Sequence, residues 1–76
     1  MGTNKMSKII NHIKMYRLHG GLTQQALAKL AGVSRQSIIS IERNRYIPSL
    51  PLALTFSRIF RCATDDLFQL KEEKDG

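Results

Sequence analysis

Residues 23–43, TQQALAKLAGVSRQSIISIER, leave this chain few ways to fold. They spell two short amphipathic helices with a glycine between them. Thr23 is a suitable first cap, because its hydroxyl accepts a backbone N–H that the first turn of a helix leaves free. Leu27, Ala28 and Ala31 then recur at helical spacing and make one face apolar. Gly32 takes the left-handed conformation that stops a helix at little steric cost. Val33 supplies an apolar contact inside the turn. Ser34 is a second cap, and Ile38 and Ile41 carry the apolar face through the second helix.

Two helices joined by a turn of three or four residues, often containing Gly, are the layout of a helix-turn-helix. The second helix is unusual on its outward side. At about 100° per residue, Ser34, Ser37, Ile38 and Ile41 share the inner side. Arg35, Gln36, Ile39, Ser40 and Arg43 share the outer one, with no acid in its middle. Arg forks onto guanine, Gln onto adenine, and an aliphatic carbon touches a thymine methyl. A solvated face is the plainer reading, but such a face seldom centres on an isoleucine.

The order of these residues resembles the Xre/Cro family of bacterial and phage DNA-binding domains. The likeness runs through Gln24, Leu27-Ala28, Gly32-Val33-Ser34-Arg35-Gln36, Ile38, Ile41-Glu42 and Asn44. It continues through Tyr46, Pro48-Ser49-Leu50 and Leu52-Ala53-Leu54 to Asp66-Leu67-Phe68, so it covers roughly residues 8–70. Within the family the chain is most similar to the short stand-alone regulators typified by the cytolysin repressor. The opening Ile9-Ile10-Asn11 and the closing Leu67-Phe68-Gln69 share in that likeness. The resemblance implies an all-α, five-helix, lambda-repressor-like DNA-binding domain over residues 8–70. Segments 1–7 and 71–76 are expected to be flexible.

Charge agrees with a polyanionic partner. Residues 1–64 carry ten Lys or Arg against one acid, Glu42, for +9; residues 65–76 carry two Lys against five acids, for −3, and the parts give the net +6. A nearly acid-free body attracts nucleic acid. An anionic membrane satisfies the charge equally. However, a membrane-lying helix needs a free apolar face, and these helices need theirs for a core. No apolar run approaches the roughly 20 residues that span a bilayer, and residues 1–8 hold no apolar block of the signal-peptide kind. Cys62 is the single cysteine, which fits a reducing cytoplasm, near the nucleoid.

Along the rest of the chain, Met6 is an alternative natural start, with residues 1–5 an added remnant. Lys8-Ile9-Ile10 is a short β-prone run. Asn11 is read as the cap of a first helix reaching about residue 18, with Ile13 and Tyr16 on its apolar side. Gly20-Gly21 ends it. The loop Asn44-Arg45-Tyr46-Ile47-Pro48 places one cation and three polar tips after the second helix, suited to phosphate contacts; Tyr46 packed over Pro48 is the alternative. Ser49 caps a fourth helix to about residue 61, with Pro51 harmless in its first turn. Leu50, Ala53, Leu54 and Ser57 share one face of it, and Leu52, Phe56 and Ile59 a neighbouring one. Either that helix is wedged between several others, or Leu52 and Ile59 reach the surface and join a second subunit. Thr64 is read as the cap of a last short helix over 65–68, whose first-turn acids suit the dipole. Phe68-Gln69-Leu70 alternates apolar and polar. By resemblance it pairs with Lys8-Ile9-Ile10 as a small antiparallel sheet joining the termini.

The resemblance also assigns roles. Arg17 and Glu42, at matched positions, form an internal salt bridge tying the first helix to the recognition helix. Gln24 contacts backbone phosphate or braces a base-reading side chain. Arg35, Gln36, Ile39 and Ser40 are the expected base readers. Lys14, Gln24, Arg43, Asn44, Arg45 and Tyr46 are the expected backbone contacts. His12 and His19 stand alone, without Cys or acid at metal-ligand spacing. No cofactor, metal or catalytic constellation is expected, and hence no enzyme. The expected function is sequence-specific regulation of transcription, as a repressor binding an inverted repeat of double-stranded DNA as a homodimer. An activator or restriction-modification controller on the same fold, and an antitoxin whose partner is a toxin protein, remain open alternatives.

Overall fold

The computed structural model describes residues 8–71. Their order is β1 (Lys8–Asn11), α1 (Ile13–His19), α2 (Gln24–Ala31), α3 (Arg35–Glu42), α4 (Leu50–Phe60), α5 (Thr64–Leu67) and β2 (Phe68–Lys71). The flexible segment expected over 1–7, and 72–76 of the expected tail, lie outside the described residues. Lys71, counted with that tail above, is instead the last residue of β2.

Three helices begin on hydroxyl caps. Thr23 Oγ1 accepts from Ala26 N at 3.0 Å, Ser34 Oγ from Ser37 N at 3.1 Å, and Ser49 Oγ from Leu52 N at 3.3 Å. Two expected caps are displaced by one residue. Thr64 is already helical, and Ala63 holds the cap position, its N–H donating to Asp66 Oδ2 at 3.1 Å. The Asp66 carboxylate thus satisfies the N–H of the cap residue itself, while Asp66 N donates to Ala63 O at 3.0 Å. Likewise His12, not Asn11, precedes α1, and its N–H donates to Leu67 O at 2.8 Å. Asn11 closes β1, because its backbone is held opposite Phe68 in the strand pair.

α1 to α4 all stop in the same way. A residue just past each helix has positive φ: Gly21 (71°), Gly32 (75°), Asn44 (60°) and Arg61 (55°). The next N–H then reaches back five residues, from Leu22 to Arg17 O, Val33 to Ala28 O, Arg45 to Ser40 O and Cys62 to Ser57 O, over 2.8–3.1 Å. This paired-bond stop satisfies carbonyls that the last turn would otherwise orphan. Glycine supplies the conformation twice, but Asn44 and Arg61 hold it against a Cβ penalty of about 1–2 kcal/mol.

Every helix contributes to one core of Ile13, Leu27, Ala28, Ile38, Ile41, Phe56 and Leu67. α3 packs chiefly on α2, and α4 bridges α2 and α5. Phe56, wholly buried, settles the orientation of α4. Leu52 and Ile59 lie one turn to either side of it on the same face, so they are half-buried against the core. Each packs on the core with part of its side chain and keeps the rest at the surface. The exposed apolar groups of α4 are Leu50 (68%) and Leu54 (52%).

β1 and β2 pair antiparallel, with Ile9 opposite Leu70 and Asn11 opposite Phe68, and so join the two ends of the described chain. No helix among the described residues is long and apolar enough to cross a membrane.

Candidate nucleic-acid interface

α3 presents its first residues to solvent because its core contacts fall on Ile38 and Ile41 alone. Arg35 and Gln36 are exposed, Ile39 and Ser40 half-buried, and Arg43 exposed at the end of the helix. Two shallow clefts flank this ridge. One is lined by Lys14, Gln24, Arg35, Ile39, Glu42 and Arg43. The other is lined by Ser34, Gln36, Ser37, Ser40 and Tyr46. All four residues read as base contacts therefore sit on one ridge. Lys14, Gln24 and Arg43 border it on one side and Tyr46 on the other. Tyr46 belongs to this second cleft. Asn44 stands past the end of the ridge, beside Lys8, Ile9 and Ile47, and Arg45 is exposed next to it.

The one acid on α3 is neutralised from behind. Arg17 Nε donates to Glu42 Oε2 at 2.6 Å and Arg17 Nη2 to Glu42 Oε1 at 3.2 Å. Arg17 Nη1 donates to Leu22 O at 2.9 Å, and Gln24 Nε2 to Glu42 Oε1 at 3.2 Å. The Arg17 and Glu42 side chains are only 8% and 5% exposed. The bidentate pair ties α1 to α3, and Gln24 adds α2 to the same carboxylate. Gln24 is thus a brace within the protein through one of its two amide N–H donors. Lys14, Arg35 and Arg43 remain to set the sign of the field in the first cleft.

The residue that inspection of the sequence missed is Asn11. Its Nδ2 donates both to Ile41 O at 2.9 Å and to Asn44 Oδ1 at 2.8 Å, while its Oδ1 accepts from Ile13 N at 3.3 Å. The available signal was the recurrence of Asn at 11 and 44, both at element ends, but nothing in the spacing brings them together.

Other polar groups do not assemble into a site. No group of three His, Cys, Asp or Glu capable of holding a metal occurs among the described residues. His12 Nε2 lies 3.5 Å from Gln69 Oε1, and His19 is exposed. Cys62 is half-buried against the core. Burial first, and the Asp66 carboxylate second, push its thiol above the ordinary range.

Comparison with known proteins agrees with this geometry. Residues 13–67 match the family model described as helix-turn-helix, HTH_3. An uncharacterized HTH-type transcriptional regulator of Methanocaldococcus jannaschii is 44% identical over 64 residues, covering 84% of this chain and 97% of its own length. An uncharacterized HTH-type transcriptional regulator of Bacillus subtilis, YgzD, is 40% identical over 63 residues, covering 83% and 96%. Among solved structures, the restriction-modification controller protein C.AhdI from Aeromonas hydrophila superposes with a TM-score of 0.68 at 25% identity, covering 72% of this chain and 83% of its own. The clp gene regulator ClgR from Corynebacterium glutamicum shares the fold, with a TM-score of 0.66 at 24% identity over 71% of this chain and 57% of its own. With a family match across the whole helical body and an exposed, acid-neutralised third helix, the chain belongs to the Xre-like helix-turn-helix family and is a transcriptional regulator with a DNA-binding domain of that kind.

Proposed function

We propose that this protein is a repressor that binds an inverted-repeat operator as a homodimer, with α3 in the major groove. Arg35 forks onto a guanine, Gln36 onto an adenine, Ile39 meets a thymine methyl, and Ser40 bonds either base edge. Lys14, Arg43, Asn44, Arg45 and Tyr46 hold the phosphates on either side, and Gln24 braces Glu42 behind them. The observation that carries the reading is the pairing of an exposed Arg35-Gln36 at the start of α3 with an α3 acid already bonded to Arg17.

One such helix reads only a few base pairs, so useful specificity calls for two. In a symmetric dimer the half-sites stand one helical turn, roughly 34–36 Å, apart. The second subunit docks on the exposed Ile47 and on α4, where Leu50 and Leu54 are exposed and Leu52 and Ile59 half-buried. Repression then follows from occupying promoter DNA.

Selecting bound fragments from a random DNA pool tests this directly. A repeated, two-fold related motif is the expected result. A folded sample that enriches no motif even at low ionic strength refutes it. Likeness to C.AhdI favours a controller as the second reading. An operator upstream of a promoter that the protein stimulates separates that role from repression.

A further inference from the structure

We infer that Asn11 is a positioning residue for DNA binding: from β1 it sets the exit of α3 and aims the phosphate-holding loop. The inference rests on the reading of 44–46 as backbone contacts. A primary amide has two N–H donors and one carbonyl acceptor, and at Asn11 all three functions are spent. Both donors point to the end of α3, one to the Ile41 backbone carbonyl and one to the Asn44 side-chain oxygen Oδ1. The acceptor holds the first free N–H of α1.

Each bond has a consequence at the far end. Asn44 has φ 60°, a conformation that a residue with a Cβ adopts at a cost. Its side chain is held in place by Asn11 while its N–H returns to Ile41 O at 2.9 Å. The Arg45 N–H closes the same stop on Ser40 O at 2.8 Å, so the direction in which Arg45 leaves the helix depends on Asn44 keeping its turn. Donation into Asn44 Oδ1 also orients that amide. Its Nδ2 has no partner among the described residues. A nitrogen donor is the group that a phosphate oxygen accepts from. The small sheet thus reaches the DNA-binding surface through one side chain, since β1 is held by β2 at Asn11 opposite Phe68.

The test uses the full chain and a random-sequence duplex about two helical turns long. Binding is measured against salt for wild type, Asn11→Ala, Asn11→Ser, Arg45→Ala and Asn11→Ala/Arg45→Ala. Folding of each is first established by circular dichroism, and binding is measured well below its melting temperature. Asn11→Ala is expected to lower affinity about fivefold and to flatten the slope of log Kobs against log salt by up to about one. Arg45→Ala should flatten the slope equally, and the double variant no further. Asn11→Ser, too short to span to Ile41 O, should follow Asn11→Ala, and serves in its place if the alanine variant does not fold. A folded Asn11 variant with the wild-type slope overturns the inference while leaving the proposed function intact. So does a double variant whose loss is the sum of the two single losses. A wild-type protein with no affinity for the duplex overturns both.

Discussion

Replacing Glu42 by alanine should cost a large share of the stability of this domain. The carboxylate receives three donors: two from Arg17, at 2.6 and 3.2 Å, and one from Gln24, at 3.2 Å. With the carboxylate gone, the Arg17 guanidinium stays almost fully buried with Leu22 O as its remaining partner. Breaking a buried pair on one side costs about 3–5 kcal/mol, because the surviving charge is left uncompensated. A chain of this length has a total stability of roughly 4–11 kcal/mol, from about 0.05–0.15 kcal/mol per residue. Urea denaturation followed by far-ultraviolet circular dichroism reads the loss as a shift of midpoint at constant slope. The double replacement Arg17→Met with Glu42→Leu provides the control. Exchanging both charges for apolar groups of similar volume is often neutral or stabilising, so it should recover most of what Glu42→Ala loses. A Glu42→Ala protein within about 1 kcal/mol of wild type, a loss of the size expected for an exposed pair, would refute the reasoning, as would a double variant that loses the sum of both single changes.

Three further outcomes follow from the same geometry. Gln36→Ala should cost about 1–3 kcal/mol on the selected operator and relax preference at one base pair, measured by competition among single-base variants of that site. Arg61→Gly should raise stability by roughly 0.5–1 kcal/mol in the same urea assay, because the left-handed stop of α4 then carries no Cβ. Stability should also fall on the alkaline side. Burial, followed by the Asp66 carboxylate, raises the Cys62 thiol; burial, followed by Cys62 and Asp66, raises the Tyr16 phenol. The folded chain therefore keeps these protons longer than the unfolded one, so stability is whole below pH 9.0, the thiol's ordinary value, and declines above it. The melting-temperature advantage of wild type over Cys62→Ala should therefore be largest at neutral pH and shrink as pH rises through that range.

The helices were legible where local chemistry decides them. Thr23, Ser34 and Ser49 carry their own cap acceptors, and Gly20-Gly21 and Gly32 announce the stops of α1 and α2. The ends of α3 and α4 were placed at the loop from Asn44 and at about residue 61, but their left-handed stops were not legible, since Asn44 and Arg61 are held in that conformation by surrounding bonds and not by absence of a side chain. α4 was ambiguous for another reason. Its apolar residues cover two faces, and only the position of Phe56 in the core decides which of them turns inward. The α3 ridge could be laid out from helical spacing alone. The partners of its polar groups could not, because Asn11 and Asn44 are 33 residues apart and Gln24 and Glu42 are 18 apart. Contacts at such separations depend on the tertiary fold, which no short-range pattern encodes.

Pairing the first strand with the last has a consequence during synthesis. Of the described segments β1 leaves the ribosome first, and its partner, Phe68–Lys71, is the last to emerge. The caps and glycine stops of α2 and α3 need only near neighbours, so the reading helix can form on a nascent chain whose sheet is still open. Closure of that sheet is then the last pairing among the described residues. A chain cut short before Phe68 would keep most of its helices and lose the strand pairing that fixes Asn11 beneath the end of α3.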